Sequence, residues 1–312
     1  MKTPVFKGSC TAIVTPFGEH GIDYDRLKKN LDFQYENCTA AVVVCGTTGE
    51  NATLSEDEHQ ELVHAAICAN AGRMKIIVGV GSNNTLTALR RAESARAGGA
   101  DAILMVTPYY NKSTQQGLYE HFTFVADRVE IPMILYNVPS RTGIGLTAET
   151  CKRLSAHQNI NGIKEASGDI ALGAKIRSLC GDELYIWSGN DDCTVPLMSL
   201  GALGVISVAS NIVPAAVAKL CNLCLDGDYE AASALYGKYA ALISALFIET
   251  NPIPVKTAMQ LMDVDSGLLR LPLVPISPEH KAVDFRHAQC RHQCITQKPP
   301  GSGGSCVSGW CL

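Results

Sequence analysis

Several polar side chains that can do chemistry occur where short apolar runs end. Lys164 closes the run Ile-Asn-Gly-Ile-Lys, while Tyr136 and Arg141 belong to the segment Leu-Tyr-Asn-Val-Pro-Ser-Arg-Thr-Gly. Thr47 and Thr48 stand between two glycines in Gly-Thr-Thr-Gly-Glu. A lysine withdrawn from water is more easily neutral, and a neutral amine is the nucleophile that forms a Schiff base with a carbonyl substrate. These residues therefore predict an imine-forming site.

The groups around the lysine fit the other needs of such a site. The Tyr136 hydroxyl can carry protons during imine and carbanion chemistry if a second hydroxyl, such as that of Thr47, polarises it. The glycine-flanked turn at Thr47 and Thr48 offers backbone N–H groups and hydroxyls to a carboxylate. The Arg141 guanidinium can bind a carboxylate through paired N–H groups.

Each of these residues, taken alone, also has a structural interpretation. Lys164 could reach from a strand end into water, and Tyr136 could fill packed space at that end. The Gly-Thr-Thr-Gly segment could be an ordinary turn, and Arg141 a surface arginine. The combination favours chemistry, because all of these residues lie at, or just after, the carboxyl ends of predicted strands.

The elements that must position these side chains alternate regularly along the chain. Predicted strands lie at residues 11–15, 40–45, 75–80, 102–107, 132–138, 161–165, 184–188 and 204–209. Predicted helices lie at residues 23–37, 55–71, 85–97, 114–129, 147–157, 170–179, 193–200 and 214–225. Eight such units within about 225 residues predict an α/β fold of the (β/α)8 TIM-barrel type, whose active site lies at the carboxyl ends of the strands.

The sequence beyond the eighth unit divides into two parts. Helical patterns at residues 229–249 and 254–262 predict a small C-terminal helical extension over residues 226–283, after the barrel of residues 1–225. Residues 284–312 are rich in Cys, His, Pro and Gly and have no amphipathic period. We expect a disordered tail there, with metal binding as the alternative.

Composition excludes several classes of function. Lys and Arg total 26 against 30 Asp and Glu, a net charge of −4, so no basic field attracts nucleic acid or an anionic membrane. No apolar run is long enough for a membrane span, and the first residues do not lead into a signal peptide. Of the 13 cysteines, the nine before residue 280 lie mostly in apolar runs, and Cys221-x-x-Cys224 has no second pair nearby. We expect a cytosolic protein with reduced thiols and no metal.

Read in order, the motifs resemble the dihydrodipicolinate synthase family from about residue 4 to residue 277. They are Gly-Thr-Thr-Gly-Glu, Tyr-Tyr-Asn, Leu-Tyr-Asn-Val-Pro-Ser-Arg-Thr-Gly, Gly-Ile-Lys-Glu-Ala, Ser-Gly-Asn-Asp-Asp, Asn-Pro-Ile-Pro-Val-Lys and Leu-Arg-Leu-Pro. The resemblance implies a lyase that condenses pyruvate with L-aspartate 4-semialdehyde to 4-hydroxy-tetrahydrodipicolinate, towards diaminopimelate and lysine. It also implies a cytoplasmic homotetramer, a dimer of dimers, that needs no cofactor.

The resemblance also assigns roles to residues. It makes Lys164 the Schiff-base lysine and forms a proton relay from Tyr136, Thr47 and Tyr110, with Tyr110 reaching into a neighbouring subunit's site. The groups that it assigns to substrate binding are Thr48 and the backbone around Gly189 and Ile206 for the pyruvate carboxylate, and Arg141 for the semialdehyde carboxylate.

Family members often bind L-lysine at a subunit interface. The matching positions in this sequence are Asn51, Ala52, Glu56, His59, Asn83, Thr87 and Tyr109. Lysine-sensitive relatives carry a glutamate at the position of Thr87, where it pairs with the α-amino group of the ligand, and a histidine at that of Glu56. We therefore expect weak or absent inhibition by lysine.

Two other functions remain as alternatives. A sister aldolase, such as N-acetylneuraminate lyase or a 2-keto-3-deoxy sugar acid aldolase, would share the lysine and the tyrosine but take another acceptor. Arg141 argues against it, because those relatives replace the Pro-Ser-Arg-Thr stretch. A non-catalytic lysine-binding homologue is disfavoured by the intact set of Lys164, Tyr136 and Thr47.

Overall fold

Eight parallel strands close into a barrel in the computed structural model, which describes residues 2–280. Each strand pairs with its predecessor in the chain, and the first strand pairs with the last. This arrangement confirms the predicted TIM barrel. The strands are β1 (Gly8–Ala12), β2 (Ala41–Val44), β3 (Lys75–Gly79), β4 (Ala102–Val106), β5 (Met133–Asn137), β6 (Ile160–Glu165), β7 (Tyr185–Ser188) and β8 (Gly204–Ser207).

Helices follow the strands and cover the outside of the barrel. They are α1 (Tyr24–Glu36), α2 (Glu56–Asn70), α3 (Thr85–Ala97), α4 (Gln115–Ala126), α5 (Ala148–Ser155), α6 (Ile170–Cys180), α7 (Thr194–Ser199) and α8 (Pro214–Leu225). Short helical segments occupy Asn51–Thr53, Pro139–Thr142, Gly181–Glu183, Asp191–Cys193 and Ala209–Asn211, and a small hairpin joins Phe17–Gly18 to Gly21–Ile22. The connections after the strands carry the polar motifs.

Side-chain caps and glycines define several of the helix ends. Ser55 and Glu58 form a reciprocal capping box that satisfies free N–H groups in the first turn of α2. The Thr147 side chain accepts a hydrogen bond from the Thr150 backbone N–H at the start of α5. Gly98 and Gly181 are the C-terminal caps of α3 and α6.

The predicted position of the first strand, residues 11–15, is wrong by three residues, because β1 covers Gly8–Ala12. Pairing on both sides decides its position: Cys10 lies in register with Ile206 of β8 and with Ala41 of β2. At Gly204, an added Cβ would lie 1.9 Å from the carbonyl oxygen of Gly8. The close approach of two glycine backbones sets this register, although β-branched residues are concentrated further along the chain.

The N-terminal segment closes one end of the barrel. The Lys2 ammonium donates hydrogen bonds to the carbonyl oxygens of Ser155, Ile160 and Glu183, at 2.6, 2.7 and 2.9 Å. These carbonyls lie at or before the starts of β6 and β7. The N-terminal segment therefore packs on the face of the barrel where the strands begin. The opposite face, where the strands end, carries the polar motifs.

The C-terminal extension contains α9 (Tyr229–Ala245) and α10 (Ile253–Leu261). The first of these is shorter than the pattern at residues 229–249 predicts. The predicted tail at residues 284–312 lies outside the described residues. Within residues 2–280 no helix is long and apolar enough to cross a membrane.

Candidate active site

Lys164 carries a buried amine that has no hydrogen-bond or ion-pair partner within residues 2–280. It lies on β6 with 5% of its surface exposed. Its neighbour in the register is Tyr136 of β5, and the lysine nitrogen lies 4.3 Å from the centre of the tyrosine ring. Among the described residues, none accepts a hydrogen bond from this nitrogen and no carboxylate lies within 4.0 Å. Such an amine remains available for chemistry.

Lys256 is the other fully buried lysine of residues 2–280, and its surroundings are the opposite. Its ammonium donates to the Glu50 carboxylate at 2.7 Å and to the carbonyl oxygens of Thr15 and Leu268 at 2.9 and 2.6 Å. Both side chains of the ion pair are 0% exposed. Every proton of this ammonium has an acceptor, which indicates a structural lysine.

Two buried carboxylates near Lys164 are held by other donors. Glu165 accepts hydrogen bonds from the Asn137 side chain at 2.8 Å and from a backbone N–H at 2.6 Å. Asp191 accepts from the Ser207 hydroxyl and from two backbone N–H groups at 3.0 Å. Burial raises the pKa of both carboxyl groups, and these hydrogen bonds oppose the rise. Neither carboxylate forms an ion pair with the lysine.

Gly189 makes room for the lysine side chain after β7. A Cβ at this position would lie 2.6 Å from the Ala166 side chain and 3.0 Å from two carbons of Lys164. The Gly189 backbone N–H donates to the carbonyl of Glu165 at 2.7 Å. Ile206 is fully buried in the barrel interior and lies in register with Cys10. The Gly189 N–H is therefore already engaged, and the Ile206 side chain packs in the interior.

A cavity of about 370 Å³ opens where the strands end. Thr47, Tyr136 and Arg141 all line it. Because Tyr136 also contacts the Lys164 nitrogen, the amine lies just beyond the cavity wall. The structure thus brings the predicted lysine, tyrosine, threonine and arginine to one place, at the face where a TIM barrel carries its active site.

The turn around Thr47 and Thr48 presents free donors. Thr48 is buried, and its hydroxyl oxygen accepts a hydrogen bond from the Asn251 side chain at 3.0 Å. Within the described part of the chain, no acceptor contacts the backbone N–H of Thr47 or of Thr48. At Gly49, a Cβ would come 3.2 Å from a backbone carbonyl oxygen, so the turn packs tightly against β1 and its following residues. Unpaired N–H groups in a tight turn suit a carboxylate.

Arg141 lies at the open side of the cavity. It belongs to the short helix Pro139–Thr142, and its side chain is exposed. The guanidinium donates to the backbone carbonyl oxygen of Asn251 at 3.3 Å. Among the described residues, no acceptor engages the remaining N–H groups of the guanidinium, which can therefore meet a ligand at the cavity entrance.

Tyr110 is the catalytic candidate that the single chain does not bring to the cavity. Its side chain is 92% exposed on the connection after β4. Its φ angle is 70°, in the left-handed region that residues with a side chain rarely occupy. A strained backbone thus holds an exposed tyrosine away from its own barrel.

The positions matched to a lysine site divide into two groups. Asn51, Ala52 and Tyr109 line the cavity, and Arg91 lines it as well. Arg91 binds the Glu56 carboxylate through two nitrogens, at 3.1 and 2.6 Å, and these hydrogen bonds lower the pKa of Glu56. The Glu56 carboxylate is thereby directed to an arginine.

The other matched positions are engaged within the chain. His59 is buried, its Nε2 lies 2.9 Å from the Gly79 carbonyl oxygen, and burial lowers its pKa. The Thr87 hydroxyl oxygen accepts a hydrogen bond from Arg90 at 3.3 Å. The Asn83 carbonyl accepts a hydrogen bond from Asn111 at 3.0 Å. None of these three contributes a carboxylate to a ligand amine.

Sequence reasoning missed the role of three residues. Glu50 follows the Gly-Thr-Thr-Gly turn directly, and Asn251 and Lys256 belong to the Asn-Pro-Ile-Pro-Val-Lys motif, which was given no role. Their hydrogen bonds join residues more than 200 positions apart in the chain. The available signal was a lysine directly after the apolar run Pro-Ile-Pro-Val.

Comparisons with known proteins agree with this geometry. A sequence profile of the dihydrodipicolinate synthetase family matches residues 5–287. A 4-hydroxy-tetrahydrodipicolinate synthase from Thermoanaerobacter sp. (strain X514) is 50% identical over 278 residues, 89% of this chain and 94% of that protein. A chloride-inhibited dihydrodipicolinate synthase from Acinetobacter baumannii, solved with pyruvate, matches with a TM-score of 0.89 and 41% identity, over 92% of this chain and 99% of that one.

A similar enzyme from Cyanidioschyzon merolae was solved with lysine bound. It matches with a TM-score of 0.89 and 38% identity, over 93% of this chain and 99% of that one. The similarity therefore covers the barrel together with the helices that follow it.

Proposed function

Since the chain belongs to the dihydrodipicolinate synthetase family, we propose that it condenses pyruvate with L-aspartate 4-semialdehyde to give 4-hydroxy-tetrahydrodipicolinate. The enzyme is then a lyase of the class I aldolase type in the biosynthesis of diaminopimelate and lysine. The observation that carries this proposal is the buried amine of Lys164, which lies beside Tyr136 and has no hydrogen-bond acceptor among residues 2–280, together with Thr47 and Arg141 in the cavity that Tyr136 lines.

The first half of the reaction forms the nucleophile. The neutral Lys164 amine attacks the ketone carbon of pyruvate, and water leaves as the imine forms. The hydroxyl of Tyr136, whose ring contacts the lysine nitrogen, carries protons to and from the departing oxygen. The turn at Thr47 and Thr48 holds the pyruvate carboxylate. Removal of a methyl proton then gives an enamine, with the protonated imine as the electron sink, so this step needs no cofactor.

The second half makes the carbon–carbon bond and releases the product. The enamine carbon attacks the aldehyde carbon of the semialdehyde, whose carboxylate binds Arg141 at the entrance. The amine of the semialdehyde then attacks the imine carbon and displaces the Lys164 amine, closing a six-membered ring. One water molecule leaves per turnover, and the lysine is regenerated.

A coupled assay with both substrates tests the activity. We expect formation of 4-hydroxy-tetrahydrodipicolinate, followed by its reduction with a coupling reductase. Cleavage of N-acetylneuraminate or of a 2-keto-3-deoxy sugar acid, without condensation of the semialdehyde, would instead identify a sister aldolase. Absence of both activities would identify a non-catalytic homologue.

Arg141→Ala is expected to weaken use of the semialdehyde much more than that of pyruvate. Loss of a charge-assisted hydrogen bond costs about 1.5–3 kcal/mol, equivalent to a roughly ten- to hundredfold rise in KM for the semialdehyde. Steady-state kinetics with each substrate varied in turn measures the difference. Arg153→Ala is the matched control, because Arg153 stacks on the Tyr119 ring on the outside of the barrel. Equal losses for both substrates would make Arg141 a structural residue.

We further expect little inhibition by lysine. Thr87 offers a hydroxyl where a carboxylate would pair with the ligand amine, and the Glu56 carboxylate is bound by Arg91. Loss of one charged partner weakens such a site by roughly ten- to hundredfold. A titration of the initial rate with lysine measures this, and Thr87→Glu should increase the sensitivity. Half-inhibition of the unmodified enzyme at sub-millimolar lysine would contradict the expectation.

We also propose the cytoplasm as the location and a homotetramer, a dimer of dimers, as the assembly. The exposure of Tyr110 and its left-handed backbone support this assembly, since a neighbouring subunit could receive the side chain. Tyr110 would then complete the proton relay of the neighbour, with Tyr136 and Thr47.

A further inference from the structure

Asn251 lies between the two groups proposed to hold the substrate carboxylates. It precedes α10, lines the cavity, and has 5% of its surface exposed. Its side-chain nitrogen donates to the Thr48 hydroxyl oxygen at 3.0 Å. Its backbone carbonyl oxygen accepts from the Arg141 guanidinium at 3.3 Å. One residue of the C-terminal extension therefore contacts both Thr48 and Arg141.

The hydrogen bond to Thr48 determines what the hydroxyl can do. A hydroxyl has one proton to donate, and its oxygen can accept. Because the oxygen accepts from Asn251, the proton is left for another acceptor, and among residues 2–280 none accepts it. Together with the unpaired N–H groups of Thr47 and Thr48, this turn offers donors alone, as a carboxylate requires.

The orientation of the Asn251 amide is open to direct test. The side-chain amide oxygen of Asn251 is buried and has no hydrogen-bond partner among the described residues. Rotating the amide would place this oxygen at Thr48, which would then donate its proton to Asn251 instead of to a substrate. If the amide nitrogen faces Thr48, Asn251→Asp should raise KM for pyruvate. If the amide oxygen faces Thr48, Asn251→Asp should leave that KM unchanged.

The segment that carries Asn251 is fixed on its far side. The backbone N–H of Lys256 donates to the Pro252 carbonyl at 3.0 Å in the first turn of α10. The Lys256 ammonium binds Glu50, two residues after Thr48. The buried ion pair thus ties α10 to the same connection that carries the turn, which limits movement between Asn251 and Thr48.

We propose that Asn251 is a positioning residue for the carboxylate of the first substrate, because it occupies the Thr48 oxygen as an acceptor and so leaves the hydroxyl proton for that carboxylate. The proposal rests on the proposed function of the site. Arg141 touches only the backbone of Asn251, so a change of the Asn251 side chain leaves that contact in place. The effect of side-chain substitution should therefore fall on pyruvate and not on the semialdehyde.

Asn251→Ala and Asn251→Asp are the test variants, studied by steady-state kinetics with each substrate varied. For Asn251→Ala we expect KM for pyruvate to rise roughly two- to tenfold, the effect of one hydrogen bond, with kcat and KM for the semialdehyde nearly unchanged. For Asn251→Asp we expect a larger rise, because the carboxylate takes the Thr48 proton and repels the substrate. Asn70→Ala is the control, since Asn70 is a buried asparagine whose side chain bonds only the Met74 backbone among residues 2–280.

A second test combines Thr48→Val with Asn251→Ala. In the Thr48→Val background, Asn251→Ala should have no further effect on KM for pyruvate, because the hydroxyl that it orients is gone. Additive effects of the two changes would overturn the proposal. Wild-type kinetics of Asn251→Asp would also overturn it. The same holds for variants that all lower kcat and raise both KM values to an equal extent. The wild-type enzyme is assayed in parallel, and its failure to condense the two substrates would refute the proposed function instead.

Discussion

Lys164→Met is expected to lower kcat/KM by roughly 10³-fold or more while leaving the protein folded. The substitution removes the amine that forms the imine and so removes the covalent route. Because the Lys164 side-chain nitrogen has no hydrogen-bond acceptor or ion-pair partner among the described residues, its loss leaves no hydrogen-bonding group unpaired. Methionine fills a similar volume. Steady-state kinetics and thermal unfolding of the same preparation measure both effects.

Two outcomes would contradict this prediction. Turnover within about tenfold of wild type would show that Lys164 is not the nucleophile. A large fall in Tm together with the loss of activity would indicate that the lysine is a structural residue.

Lys256→Met, unlike Lys164→Met, should cause a large loss of stability. It leaves the Glu50 carboxylate buried without its cation, and removing one partner of a buried ion pair costs about 3–5 kcal/mol. The carbonyls of Thr15 and Leu268 lose a donor as well. Urea unfolding followed by circular dichroism measures the change in the free energy of unfolding.

The double variant Lys256→Met with Glu50→Gln is the control for this prediction. The neutral amide removes the unpaired charge, so part of the lost stability should return. A Lys256→Met protein as stable as the wild type would show that the ion pair does not hold the extension. The two lysine substitutions thus separate a chemical from a structural role at equal side-chain volume.

The alternation of strands and helices allowed the barrel to be predicted from the sequence, because each element carries its own periodicity. The relation of Lys164 to Tyr136 could be predicted too: both end adjacent parallel strands, and parallel strands in a barrel end at one face. The same rule predicts that the turn at Thr47, which follows β2, lies at that face.

Other features depend on contacts between distant parts of the chain. The register of β1 is set by two glycines, Gly8 and Gly204, which carry little local signal. Asn251 reaches Thr48 across 203 residues of sequence only when the extension packs over the cavity. The sequence shows the asparagine but not its partner.

Tyr110 marks a different limit. Its residue type and its place after β4 predict a role in proton transfer, through the resemblance to the family. In the single chain the side chain is nearly fully exposed. The relay that includes it therefore stays a prediction that concerns the assembled enzyme.

Reduction of the enzyme with borohydride in the presence of pyruvate, followed by peptide mass spectrometry, tests the central claim most directly. Borohydride converts an imine to a stable amine and so fixes the substrate to the residue that attacked it. We predict one adduct per chain, on Lys164, and no adduct in Lys164→Met. An adduct on Lys256 or on any other residue, or no adduct at all in the wild-type enzyme, would contradict the assignment of Lys164 as the Schiff-base lysine.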